Sequence, residues 1–224
     1  MNNPPMRYRS TAGDAPAVTF SEAMSRGLAP DGGLYVPERL PRIDLSTVGT
    51  AFVDVADAVL TPFFAGDPLA DELPAISRGA FDFPIPRTPL GSGPTEVLEL
   101  FHGPTAAFKD VGARFLAECM ARTGRDRTIL VATSGDTGGA VAAAFWRKTG
   151  IEVGVLFPRD GVSDLQKHQL TCWGENVHAF AVRGTFDDCQ RVLKQALADP
   201  TWRERRHLTT ANSINIGRLL PQVV

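Results

Sequence analysis

From Thr95 onward the sequence alternates between two kinds of segment, and this alternation constrains the fold more than any other feature. Short apolar runs of strand length, "TILVAT" (128–133), "IEVGVLFP" (151–158), "NVHAFAV" (176–182) and "HLTTA" (207–211), take turns with longer segments of helical character. Those are "GGAVAAAFWRKTG" (138–150, ending at Gly150), "SDLQKHQLTCWG" (163–174, with Ser163 as cap), "FDDCQRVLKQALAD" (186–199) and the start of "SINIGRLLPQ" (213–222). "TEVLELF" (95–101) alternates and reads as a further strand. Strands that alternate with helices of this length build βαβ units and a parallel sheet. Continuous apolar strands suit a sheet covered on both faces. The predicted class is α/β, a mostly parallel sheet with flanking helices.

Residues 1–95 read differently, as a smaller α+β region in front of a 96–224 domain. They are rich in proline and glycine, and their apolar segments are short. "TFSE" (19–22) is a capping box, Thr19 as N-cap and Glu22 three residues on, opening a helix that ends at Gly27. "APDGGLYVPE" (29–38) reads as a tight turn and a short extended piece. "TAFVDVADAVLTPFFAG" (50–66) predicts a helix ending near Pro62, and a second helical stretch covers 69–79. "DFPIPRTPLGSGP" (82–94) carries too many prolines for anything but loop.

In open parallel sheets ligands bind where strands end and helices begin. Three loops meet that description: "FHGPTAAFK" (101–109), "TSGDTGGA" (133–140) and "TTANSIN" (209–215). Lys109 falls in the first turn of a helix whose buried face is expected to carry Phe108, Val111, Gly112, Phe115 and Cys119. A helix start is positive, so a cation there is disfavoured by a few tenths of a kcal/mol, roughly the low end of the dipole effect. Two readings follow. Lys109 is a solvated lysine, with Asp110 neutralising it at the surface. Alternatively, the helix end and apolar neighbours favour the free amine, which is a nucleophile able to form a Schiff base with a carbonyl. "SGDTGG" (134–139) lets the backbone approach an anion, but it is neither G-x-G-x-x-G nor a Walker sequence, and a plain capped turn explains it equally well.

Together these stretches resemble a known family. "ELFHGPTAAFKDVGA" (99–113) looks like the pyridoxal-phosphate attachment signature of the serine/threonine dehydratase group, and "FHGPTxAFKD" is similar to the threonine synthase form. "YRSTAG", "VTFSEAMSRGLAPDGGLYVPE", "SGDTGGA" and "NSINIGRLLPQ" resemble threonine synthase segments in the family's order, so the likeness covers about residues 7 to 222. It implies a fold-type-II enzyme, similar to the tryptophan synthase β chain, with pyridoxal 5′-phosphate as cofactor. The reaction implied converts O-phospho-L-homoserine and water into L-threonine and phosphate, in a cytoplasmic monomer or homodimer. On the same basis Lys109 holds the cofactor and moves protons, Phe108 shapes the pocket, and Asp136 lies against the cofactor's 3′ oxygen. Ser134, Gly135, Thr137 and Gly138 match the substrate-carboxylate loop. Asn212, Ser213, Asn215 and Arg218 belong to a segment approaching the substrate, where Arg218 would meet an anion. The family's later glycine- and asparagine-rich loop, which cradles the cofactor phosphate, has no counterpart before Val224. The expectation is therefore a fragment or a truncated protein without turnover, with an exposed apolar edge; a related phospho-lyase is the other alternative.

The remaining features are negative. A net charge of −2 gives no electrostatic case for nucleic acid or an anionic membrane. Three scattered cysteines argue against a disulfide framework or zinc site and suit a reducing cytoplasm. No apolar run follows the N-terminal arginines, so a secretory signal is not expected. His168, His178 and His207 lack metal-ligand spacing, and His102 reads as a hydrogen-bonding residue. Cys119 is expected in the core, Trp146, Trp173 and Trp202 are expected to pack, and "RERR" (203–206) is expected as a solvated turn.

Overall fold

A computed structural model describes residues 4–44, 46 and 48–224 and, for Arg203 and Glu204, the backbone alone. The elements in chain order are β1 (Tyr8–Ser10), α1 (Phe20–Arg26), β2 (Tyr35–Pro37), α2 (Phe52–Leu60), α3 (Leu73–Ala80), β3 (Arg87–Pro89) and β4 (Glu96–Leu98). They continue with α4 (Lys109–Arg122), β5 (Arg127–Ala132), α5 (Asp136–Phe145), β6 (Ile151–Pro158), α6 (Asp164–Thr171) and β7 (Val177–Val182). The chain closes with α7 (Phe186–Ala198), α8 (Pro200–Arg206), β8 (Leu208–Thr210) and α9 (Ile216–Leu219).

The expected parallel sheet is present, with order β7-β6-β5-β8 and every pairing parallel. Its strands alternate as pleated strands must. Ile129 and Val131 of β5 enter the main core beneath α4 and α5. Leu130 and Ala132 turn to the opposite face, where Cys189 and Leu193 of α7 cover them. From β5 the chain winds outward through β6 to β7, then returns to place β8 on the other side of β5. The strand order therefore reverses between β5 and β8, and such a reversal opens a crevice at the strands' carboxyl ends.

The N-terminal region is the α+β unit expected. β1 and β2 pair antiparallel. The capping box of α1 is formed: the Glu22 amide donates to Thr19 Oγ1, and the Glu22 carboxylate accepts from the Thr19 amide. The main core is continuous from Met6, Tyr8 and Phe20 through Phe115 to Val153 and Val155. Among the described residues no helix is long and apolar enough to cross a membrane.

Several expectations require correction. Residues 82–94 are not all loop: β3 lies within them and pairs antiparallel with β4. β4 is only three residues long and stands outside the parallel sheet, and every residue of both strands of this hairpin is exposed. Helix α5 ends at Phe145 rather than Gly150. The Asn176 side chain donates to the Phe145 carbonyl (2.9 Å) and accepts from the Arg147 amide (2.8 Å), taking over groups the helix would have used. The 203–206 stretch is helical, the end of α8, and the side chains of Arg203 and Glu204 lie outside the described residues. Trp146 and Trp173 pack together at 5.5 Å, but Trp202 is exposed. Phe108 leaves the buried face of α4, because as N-cap its side chain points away from the helix body; Val111, Gly112, Phe115 and Cys119 are buried as expected.

Candidate functional site

Lys109 is the first residue of α4, and its entry loop is locked by its neighbour. Asp110 is fully buried; its two carboxylate oxygens accept from the Thr105 amide (2.9 Å) and the Thr105 hydroxyl (2.7 Å). A Cβ on Gly103 would lie 2.5 Å from that carboxylate, so the loop needs glycine there. Ala106 holds a left-handed φ of 54° in the same turn. Asp110 therefore does not neutralise Lys109 at the surface, and that reading is overturned. The carboxylate facing the amine is Asp136, with Oδ2 3.5 Å from Nζ. It offsets the unfavourable helix-end position. The amine also stands 4.2 Å from the centre of the Phe108 ring, a cation–π distance.

Asp136 opens α5 directly after β5. Its carboxyl is held below the usual range first by a bond from the Gln166 amide (Nε2 to Oδ1, 3.1 Å), then by the Lys109 charge, with partial burial opposing. Thr133 is the buttress of this loop. Its Oγ1 accepts from the amides of Gly135 and Gly138, each at 2.9 Å, and donates to the Gly135 carbonyl. Gly135 itself sits at φ 150°, ψ −107°, open only to glycine. Two of the amides expected to greet an anion are therefore occupied. Ser134 is exposed and Thr137 half-buried.

The amine borders a cavity of about 780 Å³ between the β4–α4 connection and the start of α6. Leu98, Phe101, Phe108 and Leu165 give it apolar walls and are each at least half exposed, which accounts for part of the apolar surface expected; Phe180 on edge strand β7 adds another exposed ring. Among the described residues Lys109 is the one cation in the lining. The structure thus brings Lys109, Phe108 and Asp136 together, whereas Ser134, Gly135, Thr137 and Gly138 stand behind Asp136 and outside the lining.

The 212–218 segment lies at the carboxyl end of β8, across the strand-order reversal, and also outside the lining. Ser213 is exposed and bonds the Asn212 side chain. Asn215 is a buried N-cap: its Oδ1 accepts from the Gly217 amide, and its Nδ2 reaches the Met24 and Thr210 carbonyls. Arg218 is buried, donates Nη1 to the Ala211 carbonyl, and leaves Nε unpartnered; burial pushes its guanidinium down to about 10. A buried guanidinium edge without an acceptor suits a planar oxyanion. Elsewhere His102 bonds Glu99 (2.6 Å), the three cysteines are free, and among the described residues no group of side chains could hold a metal.

Sequence reasoning missed Thr105, Thr133 and Gln166. Thr133 was visible as the hydroxyl ending an apolar strand before a glycine loop, and Gln166 as the third residue after the cap Ser163; their targets lie too far along the chain to be read. The primary amine, the apolar walls and the ionised carboxylate are a donor set for a flat aromatic aldehyde.

Comparison with known proteins agrees with this chemistry. Residues 7–81 match the family described as threonine synthase N terminus, and residues 97–217 match pyridoxal-phosphate dependent enzyme. The chain is 41% identical to a threonine synthase of Pseudomonas aeruginosa, over 98% of this chain and 50% of that protein. It is 41% identical to that of Escherichia coli K12, over 92% and 49%. Among solved structures it is similar to PLP-bound threonine synthase from Brucella melitensis, with a TM-score of 0.89 and 41% identity over 97% of this chain and 50% of that one. The threonine synthase structure from Escherichia coli gives 0.87 and 38%. The chain spans about half the length of the curated relatives it matches.

Proposed function

The chain belongs to the pyridoxal-phosphate dependent enzyme family, and from that premise we propose that it carries the lysine-bearing part of a threonine synthase active site. The substrate is O-phospho-L-homoserine, and the products are L-threonine and phosphate. The observation that carries this reading is the Lys109 amine, set by a buried Thr105–Asp110 lock at the edge of an apolar cavity and faced by Asp136 at 3.5 Å. We assign the site to a cytoplasmic monomer or homodimer acting on a small molecule.

Pyridoxal 5′-phosphate, when bound, supplies an electron sink for carbanions. Lys109 Nζ would hold the cofactor and, when free, would accept and return protons at the substrate's α and β carbons. Phe108 would wall the cofactor's pocket. Asp136, kept ionised, would serve the cofactor's 3′ oxygen. Ser134 and Thr137 offer hydroxyls to the substrate carboxylate, while Gly135 and Gly138, their amides bound to Thr133, give the loop its close approach. Asn212 and Ser213 flank the substrate from the β8 side. Asn215 anchors that segment, and the unpartnered edge of Arg218 meets the substrate's anionic group.

The test is spectroscopic. Pyridoxal phosphate added to the chain should give a near-ultraviolet to visible band that Lys109→Ala abolishes. O-phospho-L-homoserine should then perturb that band more than O-phosphothreonine does. Identical spectra from the two proteins would refute the assignment of Lys109, and a stronger response to O-phosphothreonine would favour the related phospho-lyase.

A further inference from the structure

We propose that Gln166 is a positioning residue of this site: its side-chain amide ties α6 to the β5–α5 loop and fixes where the Asp136 carboxylate stands relative to Lys109. The amide uses both ends. Oε1 accepts from the Ser163 amide (3.1 Å) and completes the capping box of α6, and Nε2 donates to Asp136 Oδ1 (3.1 Å). Asp136 turns its other oxygen, Oδ2, to Lys109. One bonded path therefore runs from the α6 cap through Gln166 and Asp136 to the amine.

The surroundings are built around this amide. Gly135 packs so closely that a Cβ there would fall 2.2 Å from Gln166 Nε2, so the glycine makes room for the amide as well as supplying the loop's φ of 150°. Ser163, Leu165 and Gln166 border the cavity beside Lys109, so the start of α6 is part of its wall. The bond from Gln166 is also the largest influence holding the Asp136 carboxyl down, ahead of Lys109. Of the ionisable groups on α4, α5 and α6, Lys109 is the one whose charge acts on Asp136; Asp110 is turned into Thr105. Without the amide donor Asp136 would lose one of its two side-chain anchors, and the other, to Lys109, is long at 3.5 Å. The consequence for catalysis rests on the roles proposed above for Lys109 and Asp136, but the positioning itself does not.

The experiment titrates Asp136 by carbon NMR in the aspartate-labelled chain, with Asp136→Asn for assignment, in wild type, Gln166→Met, Gln166→Glu and Ser163→Ala. Gln166→Met keeps the length and removes the donor. Gln166→Glu keeps an acceptor for the α6 cap, so it guards against a simple loss of the helix, and puts an anion beside Asp136. The Asp136 carboxyl should titrate at higher pH in both Gln166 variants and further in Gln166→Glu, while Ser163→Ala should leave it where it is. An unchanged titration in both Gln166 variants, or an equal shift in Ser163→Ala, would overturn the proposal. Reductive trapping of pyridoxal phosphate on Lys109 should slow in Gln166→Met. If wild-type Lys109 takes no label while the Asp136 titration moves as expected, the cofactor reading fails and the positioning role stands.

Discussion

Replacing Asp110 by alanine tests whether the lock that aims Lys109 is real. The carboxylate has no exposed surface and receives two bonds from Thr105, at 2.9 and 2.7 Å. A hydrogen bond to a charged group contributes about 1.5–3 kcal/mol, and a buried donor left without an acceptor costs about 1–3 kcal/mol. Thr105 is itself buried, so its amide and hydroxyl would both be stranded. Asp110→Ala should then lose about 3–5 kcal/mol, among the larger effects of a single substitution. Asp110→Asn keeps one acceptor and should lose about half as much, roughly 1.5–2.5 kcal/mol. Thr105→Val removes only the hydroxyl bond, so pairing it with Asp110→Ala in a double-mutant cycle should show a coupling of about 1.5–3 kcal/mol. Urea unfolding followed by circular dichroism reads these values, provided the slope with denaturant stays constant. A loss below about 1 kcal/mol in Asp110→Ala would mean that water or another group serves Thr105, and the argument that this pair orients Lys109 would fail.

Two further predictions probe neighbouring parts of the frame. Gly135→Ala forces a side chain into φ 150° and against Gln166, so it should cost about 1–3 kcal/mol in urea unfolding and also raise the titration of Asp136 by displacing the amide. Asp188, in the capping box of α7, is lowered from 3.8 to about 2, first by the Thr185 amide and then by Arg191. Because the folded state holds this carboxyl below its unfolded value, its stabilisation is complete above 3.8 and is lost as the pH falls through about 2. Asp188→Asn should flatten the dependence of α7 amide protection on pH across that window; an unaltered slope would show that the cap contributes nothing there.

The residues say in advance what local chemistry decides. β6 is legible to its ends because a mostly apolar run of that length, interrupted only by Glu152 and set between Gly150 and the Pro158 turn, has few other uses. The caps of α1 and α6 were legible because Thr19 with Glu22, and Ser163, act within three residues of themselves. Lys109 stood out because it breaks a helix-end preference. Bonds that bridge distant segments were invisible. β3 and β4 pair across a stretch whose prolines argue for loop, and their pairing needs only three residues a side. Asp110 looked like a surface counter-ion because nothing in the sequence says that the chain folds Thr105 over it. Asp136 and Gln166 are 30 positions apart, and only the winding of α5, β6 and α6 brings them together. That Asn215, in the segment 212–218, holds β8 to α1 through the Thr210 and Met24 carbonyls is likewise invisible along the chain.

The central claim is that one amine, fixed at the start of α4, condenses with the cofactor's aldehyde. Borohydride reduction of the chain with pyridoxal phosphate, followed by peptide mass spectrometry, measures this directly. The account predicts a phosphopyridoxyl group on Lys109 at concentrations that leave Lys148, Lys167 and Lys194 unmodified, and none on the Lys109→Ala protein. Label spread evenly over the four lysines, or an unmodified Lys109, would contradict it.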